Sequence, residues 1–118
     1  MIGMAKPKSA LAGRTVAFRP SPTSLANTIH VLAMDTAVVF FCDHAIERME
    51  EREITRLDAL RVLRTGRIVG EIEPGKGTAE WKCKVVARLK GSREVGVVTL
   101  CINARRLFVK TVEWEDRS

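Results

Sequence analysis

Thr55-Arg-Leu-Asp-Ala-Leu-Arg-Val-Leu-Arg-Thr-Gly-Arg-Ile-Val-Gly70 holds a helix start, a helix stop and the beginning of a strand. Thr55 has the chemistry of an N-cap, and Asp58 stands three residues on, close to a capping box with Asp in place of Glu. Leu57, Leu60 and either Val62 or Leu63 recur at core-facing spacing, and Gly66 supplies the C-terminal stop. From Arg67 onward the period changes. Helical spacing gives way to alternation, and that switch sets the fold class.

C-terminal to the switch, residues 67–73 read as a strand and 74–78, which include Pro74, Gly75 and Gly77, as a turn. Gly75-Lys-Gly77 is too short for a phosphate-binding loop and lacks the helix that should follow one. Residues 80–90 alternate, with Trp81, Cys83, Val85, Ala87 and Leu89 on one face and Lys82, Lys84, Val86 and Arg88 on the other. Gly91-Ser92 makes a hairpin turn, 93–103 a β-branched strand, Ala104-Arg105 a further turn and 106–114 a fourth strand.

N-terminal to the switch, Asp43-His-Ala-Ile-Glu-Arg-Met-Glu-Glu-Arg-Glu-Ile54 predicts a first helix over 44–53 with Asp43 as N-cap. Before it, Thr36-Ala-Val-Val-Phe-Phe-Cys42 is a short apolar run suited to a strand or to the helix entry. The expected fold is therefore α+β: two N-terminal helices followed by a four-stranded antiparallel sheet, in the order α-α-β-β-β-β.

The helix over 44–53 also carries the chain's most informative charge pattern. His44, Arg48 and Arg52 follow one another at i, i+4 and i+8. At about 100° per residue they form one stripe, each step offset by roughly 40°. Ala45, Ile46 and Met49 lie beside that stripe, and Glu47, Glu50 and Glu51 occupy most of the rest. Arg48 and Arg52 are a like-charge i,i+4 pair, which mildly destabilises a lone helix, and Glu51 can offset part of this from i+3. A basic ridge at the rim of the core suits an anionic partner. It equally suits two arginines that reach carboxylates of their own domain.

The chain has 118 residues, enough for one domain, and its 46% hydrophobic and 29% charged composition is that of a globular protein. No apolar run approaches the roughly 18 residues of a membrane span. Cys42, Cys83 and Cys101 are odd in number and fit no disulfide framework, which favours a reducing compartment and a cytoplasmic location. Cys42-x-His44 with Cys83 or Cys101 lacks the spacing of a zinc site, so neither metal nor cofactor is expected. Cys42 beside His44 also lacks a third, orienting group for nucleophilic catalysis.

The net charge of +6 is unevenly spread. Lys6, Lys8, Arg14 and Arg19 fall within 1–33, which has no acid, leaving 16 basic against 14 acidic residues (+2) elsewhere. With Pro7, Pro20, Pro22 and many Ser and Thr, residues 1–35 read as a flexible basic leader ahead of a single domain over 36–116. An organellar transit peptide and a true start at Met34 are the other readings of that stretch.

The pattern His-Ala-x-x-Arg-Met-x-x-Arg-x-Ile from His44 to Ile54, with Gly-Arg-Ile-Val at 66–69 and Val-Val-Thr-Leu at 97–100, resembles a bacterial family, domain of unknown function 4258. The resemblance spans roughly residues 42–103 of this chain. That family's helix-then-four-strand plan is similar to the RelE/barnase-like toxin ribonucleases. The resemblance implies function at His44, Arg48, Arg52 and the strand position Thr99, an RNA target, and a cognate antitoxin-like protein partner.

Metal-independent RNA cleavage needs a base for the 2′-hydroxyl, an acid for the 5′-oxygen and cations for the phosphorane. His44 could serve as base or acid, while Arg48 and Arg52 hold the scissile phosphate. Lys82, Lys84 and Arg88 share a strand face and extend the phosphate track, or are simply a solvated sheet face. His44 at the first helical turn could instead be structural. Trp81 and Trp114 suit core or sheet positions better than base stacking, given 5% aromatic content. The chemistry thus suggests a toxin-like ribonuclease or RNA-binding domain. The rival is a non-catalytic protein-interaction module using a sheet edge or the helix stripe.

Overall fold

The structure, a computed structural model, describes residues 19–89 and 91–116. In chain order it holds α1 (Pro22–Leu32), a 3-10 turn (Thr36–Val38), β1 (Val39–Phe41), α2 (Asp43–Arg52) and α3 (Arg56–Thr65). The strands β2 (Arg67–Pro74), β3 (Glu80–Arg88), β4 (Glu94–Ile102) and β5 (Arg106–Trp114) follow. The sheet runs β1-β5-β4-β3-β2, with all pairs antiparallel except β1 and β5. The fold is α+β as expected, but the described residues form three helices and a five-stranded mixed sheet, not two helices and a four-stranded antiparallel one.

Two segments make that difference. Val39–Phe41 pairs in parallel with β5, in the register Val39↔Leu107, Phe40↔Phe108 and Phe41↔Val109. A parallel partner needs a long crossover, and α2, α3 and three strands provide it. No local signal in a three-residue strand reveals a mate nearly seventy residues away.

The second is α1, which lies inside the stretch read as a leader. Ser21 caps it by accepting from the Ser24 amide at 3.0 Å, and Pro22 sits in the first turn, where a missing N–H costs nothing. Leu25, Ile29 and Ala33 recur every four residues and are buried. Two hydrogen bonds bind its C-terminal end to the domain. The His30 Nε2–H donates to the Gly66 carbonyl (2.7 Å), and Arg64 Nε donates to the Ala33 carbonyl (2.8 Å). Residues 1–18 of that stretch lie outside the described residues.

All three helices lie on one face of the sheet, α2 over β5 and α3 over β3 and β4, while α1 rests against β2 and α3. Between the layers, Ile29, Met49, Val62 and Leu63 meet Val85, Val97, Leu107 and Val109. Thr55 accepts from the Asp58 amide and Asp58 accepts from the Thr55 amide, completing the capping box. Leu57 does not face the core as its spacing suggested. It is 53% exposed, and Ala59, Val62 and Leu63 form the buried face of α3 instead.

Helix α2 starts one residue earlier than expected, with Cys42 as its cap: its Sγ accepts from the Ala45 amide (3.4 Å). Gly66 has no freedom to vary. A Cβ there would stand 2.7 Å from the Val62 carbonyl, a Val85 methyl and the Val86 carbonyl, so the turn from α3 into β2 crosses β3 with no room for a side chain.

Candidate functional site on helix α2

Helix α2 lies along the outer edge of β5 beyond the end of β1, and that edge explains its arginines. Among the described residues, the carbonyls of Val109, Lys110 and Val112 have no strand beside them over this stretch except where β1 reaches. The Cys42 amide takes the first (3.1 Å), the Cys42 thiol donates to the second (3.3 Å), and Arg52 Nη1 donates to the third (2.8 Å). In return Trp114 Nε1 donates to the Arg52 carbonyl at 3.0 Å. Arg52 is thus held at both its side chain and its backbone. Of the several N–H donors on its guanidinium, one is used in this way.

One turn back, Arg48 Nη1 pairs with Glu51 Oε1 at 2.6 Å. The Glu51 side chain is 59% exposed and the pair is an i,i+3 contact, the kind that contributes only a few tenths of a kcal/mol. His44, at the first turn, is exposed and makes no hydrogen bond or ion pair among the described residues. The three side chains do form one ridge along a half-buried helix face. Arg52 is anchored, Arg48 is loosely paired, and His44 is open to solvent.

The strand residues fall elsewhere. Lys82, Lys84 and Arg88 point from the sheet face opposite the helices, so the structure does not bring them together with the α2 ridge. Lys84 is held between Glu113 (3.1 Å) and Glu115 (2.9 Å). The hydrogen bond to Glu115 is the main reason its ammonium is pushed above the ordinary lysine range. Lys82 meets Glu73 at 3.8 Å, and Arg88 is exposed. Thr99 sits opposite Cys83 on the core face, fully buried, its hydroxyl donating to the Leu100 carbonyl at 3.1 Å.

The cysteines separate in the same way. Cys83 and Cys101 are buried on the core face, and Cys42 is half-buried at the helix cap. Burial, with the neighbouring Cys101 adding to it, pushes the Cys83 thiol up to about 12, and burial raises Cys101 as well. Raised thiols are poor nucleophiles at neutral pH. Among the described residues no three His, Cys, Asp or Glu side chains converge as a metal site, and no helix is long and apolar enough to cross a membrane.

Residues 41–114, well over half of the chain, match the family model described as Domain of unknown function (DUF4258). The chain belongs to that family. The match takes in the whole of α2 and runs to the end of β5, so the ridge and the strand edge that anchors it both lie within the matched residues. Helix α1 lies outside the matched residues. No curated protein and no solved structure matches the chain.

Sequence reasoning overlooked a second group, on the uncovered sheet face. Phe40, Ile102, Arg106 and Phe108 line a shallow depression of about 290 Å³, and the Lys110 ammonium stands 5.5 Å from the Phe108 ring. The available signal was the phase of 106–110. Leu107 and Val109 point inward, so an aromatic at Phe108 occupies a position that water-facing strands fill with polar side chains.

Proposed function

We propose that this domain binds RNA through helix α2, as the RNA-contacting element of a toxin-like ribonuclease or of a binding-only relative. One observation carries the reading. The ridge of His44, Arg48 and Arg52 is anchored at Arg52 by the Val112 carbonyl, and its other two members are open or held only by a surface pair. An anchored guanidinium loses little side-chain freedom when a phosphate arrives, which favours binding. Arg48 can exchange Glu51 for a phosphate at small cost, because surface pairs are weak.

Cleavage asks for more than this. His44 can move one proton, and a second group must move the other. Among the described residues none hydrogen-bonds His44. Binding is therefore the better supported half of the proposal, and a likeness to RelE/barnase-like toxins enters it only as what the family resemblance implied.

Fluorescence anisotropy of a labelled single-stranded RNA, titrated between about 50 and 200 mM salt, tests the proposal. Affinity should fall with salt, and Arg48→Ala should weaken binding and lower the salt slope by about 0.7. RNA binding that ignores salt and Arg48 would overturn it. Incubating the same RNA with protein in chelator, with His44→Ala as control, separates an enzyme from a binder.

A second reading has its own support. β1 is a short edge strand whose outer side faces no other strand among the described residues. A non-catalytic module could add a partner's strand there, the partner being an antitoxin-like protein. That reading expects a stable complex that survives Arg48→Glu.

A further inference from the structure

We propose that the uncovered face of the sheet is a stacking platform for unpaired RNA bases, built by Phe40 and Phe108 with Arg106 and Lys110 as its phosphate contacts. It rests on the RNA reading and adds a second contact surface to it. The register places Phe40, Phe108 and Leu100 in one row across β1, β5 and β4, and Ile102 beside Arg106 in the next row. All three helices among the described residues lie on the other face, and Phe40 is 48% exposed. The result is a shallow, largely apolar depression with two aromatic rings in its lining.

Charge decides what fits on it. Arg106 is exposed and makes no ion pair with any described residue, and Lys110 has only the Phe108 ring and no carboxylate partner among them. Farther along the same face the lysines are already neutralised, Lys84 by Glu113 and Glu115 and Lys82 by Glu73. Glu80, opposite Ile102, lies over Gly75 and Gly77. Rings flanked by unpaired cations match a chain that offers flat bases and anionic links together, which is single-stranded nucleic acid. A duplex hides its base faces and gains nothing from such a strip. Phe40 also precedes His44 by four residues, and β1 leads directly into α2. A strand crossing the sheet edge therefore meets the α2 ridge next.

The test compares two labelled single-stranded oligomers of equal length on the full-length protein: ordinary RNA and its abasic ribose-phosphate counterpart. The wild type should bind the ordinary oligomer about tenfold more tightly than the abasic one. Phe40→Ala and Phe108→Ala should each remove most of that preference, while Phe40→Trp retains it. Circular dichroism verifies that each variant is folded, and Phe40 is exposed enough for its variants to fold. Arg48→Ala should weaken both oligomers equally. Equal binding of the two oligomers by the wild type, with Phe40→Ala silent, would overturn the platform and leave the α2 reading standing. Binding of neither oligomer would overturn both. An acidic leucine-containing peptide that binds as tightly as RNA, and is lost in Phe40→Ala, would reassign the face to a protein partner.

Discussion

Arg52 and Arg48 look equivalent on a helical projection, yet they do different things. Arg52 donates to a carbonyl at the sheet edge, and Arg48 meets a carboxylate in water. Arg52→Ala leaves the Val112 carbonyl without this partner and should cost about 1.5–3 kcal/mol. Arg48→Ala should cost under about 0.5 kcal/mol. Urea denaturation of the two variants measures that contrast. Equal losses would mean that the Val112 bond is not holding the helix.

Cysteine chemistry adds a pH prediction. The ordinary thiol loses its proton near 9, and Cys83 holds its own to about 12. An unfolded chain therefore releases this proton at lower pH than the folded one. The contribution is fully present below pH 9 and is lost as pH climbs toward 12. Lys84, also raised, acts with the same sign at and above the lysine range. Stability should fall through this alkaline window, and less so in Cys83→Ala; the chain has no tyrosine to titrate there. In the native protein a thiol reagent should modify Cys42 first and reach Cys83 and Cys101 only on unfolding.

At the scale of elements, α1 gives the sharpest expectation. Ile29 is fully buried, so Ile29→Ala should cost about 2–5 kcal/mol in a denaturation experiment. A chain begun at Met34 loses Leu25, Ile29 and Ala33 together, along with the Ala33 carbonyl that Arg64 binds. It should be markedly less stable or fail to fold, and full stability in that truncation would remove α1 from the core. Thr55→Ala, which breaks the capping box, should cost about 1 kcal/mol.

Elements with local signals were legible from sequence. Thr55 with Asp58 announced α3, Gly66 its end, and the alternation of 80–90 the core face of β3. What escaped depends on distance along the chain. β1 is three residues whose pairing with 107–109 leaves no local mark, and the buried spacing of Leu25, Ile29 and Ala33 was masked by a Pro- and Ser-rich setting. The site followed the same rule. The α2 ridge could be read from helical spacing, but the commitment of Arg52 to Val112 joins residues sixty positions apart. Thr99 could have pointed either way until the register placed it opposite Cys83.

For the molecule as a whole, the helices shield one face of the sheet and, among the described residues, leave the other open. Two surfaces result: a basic ridge at the β5 edge and an aromatic strip on the bare face. The ridge is the central claim, and amide mapping tests it most directly. Isotope-labelled protein titrated with a short single-stranded RNA should show its largest shifts in residues 43–52 and in the adjoining β5 edge near Val112. RNA that leaves those amides unmoved at saturating concentration would contradict the claim, whatever else on the protein it touched.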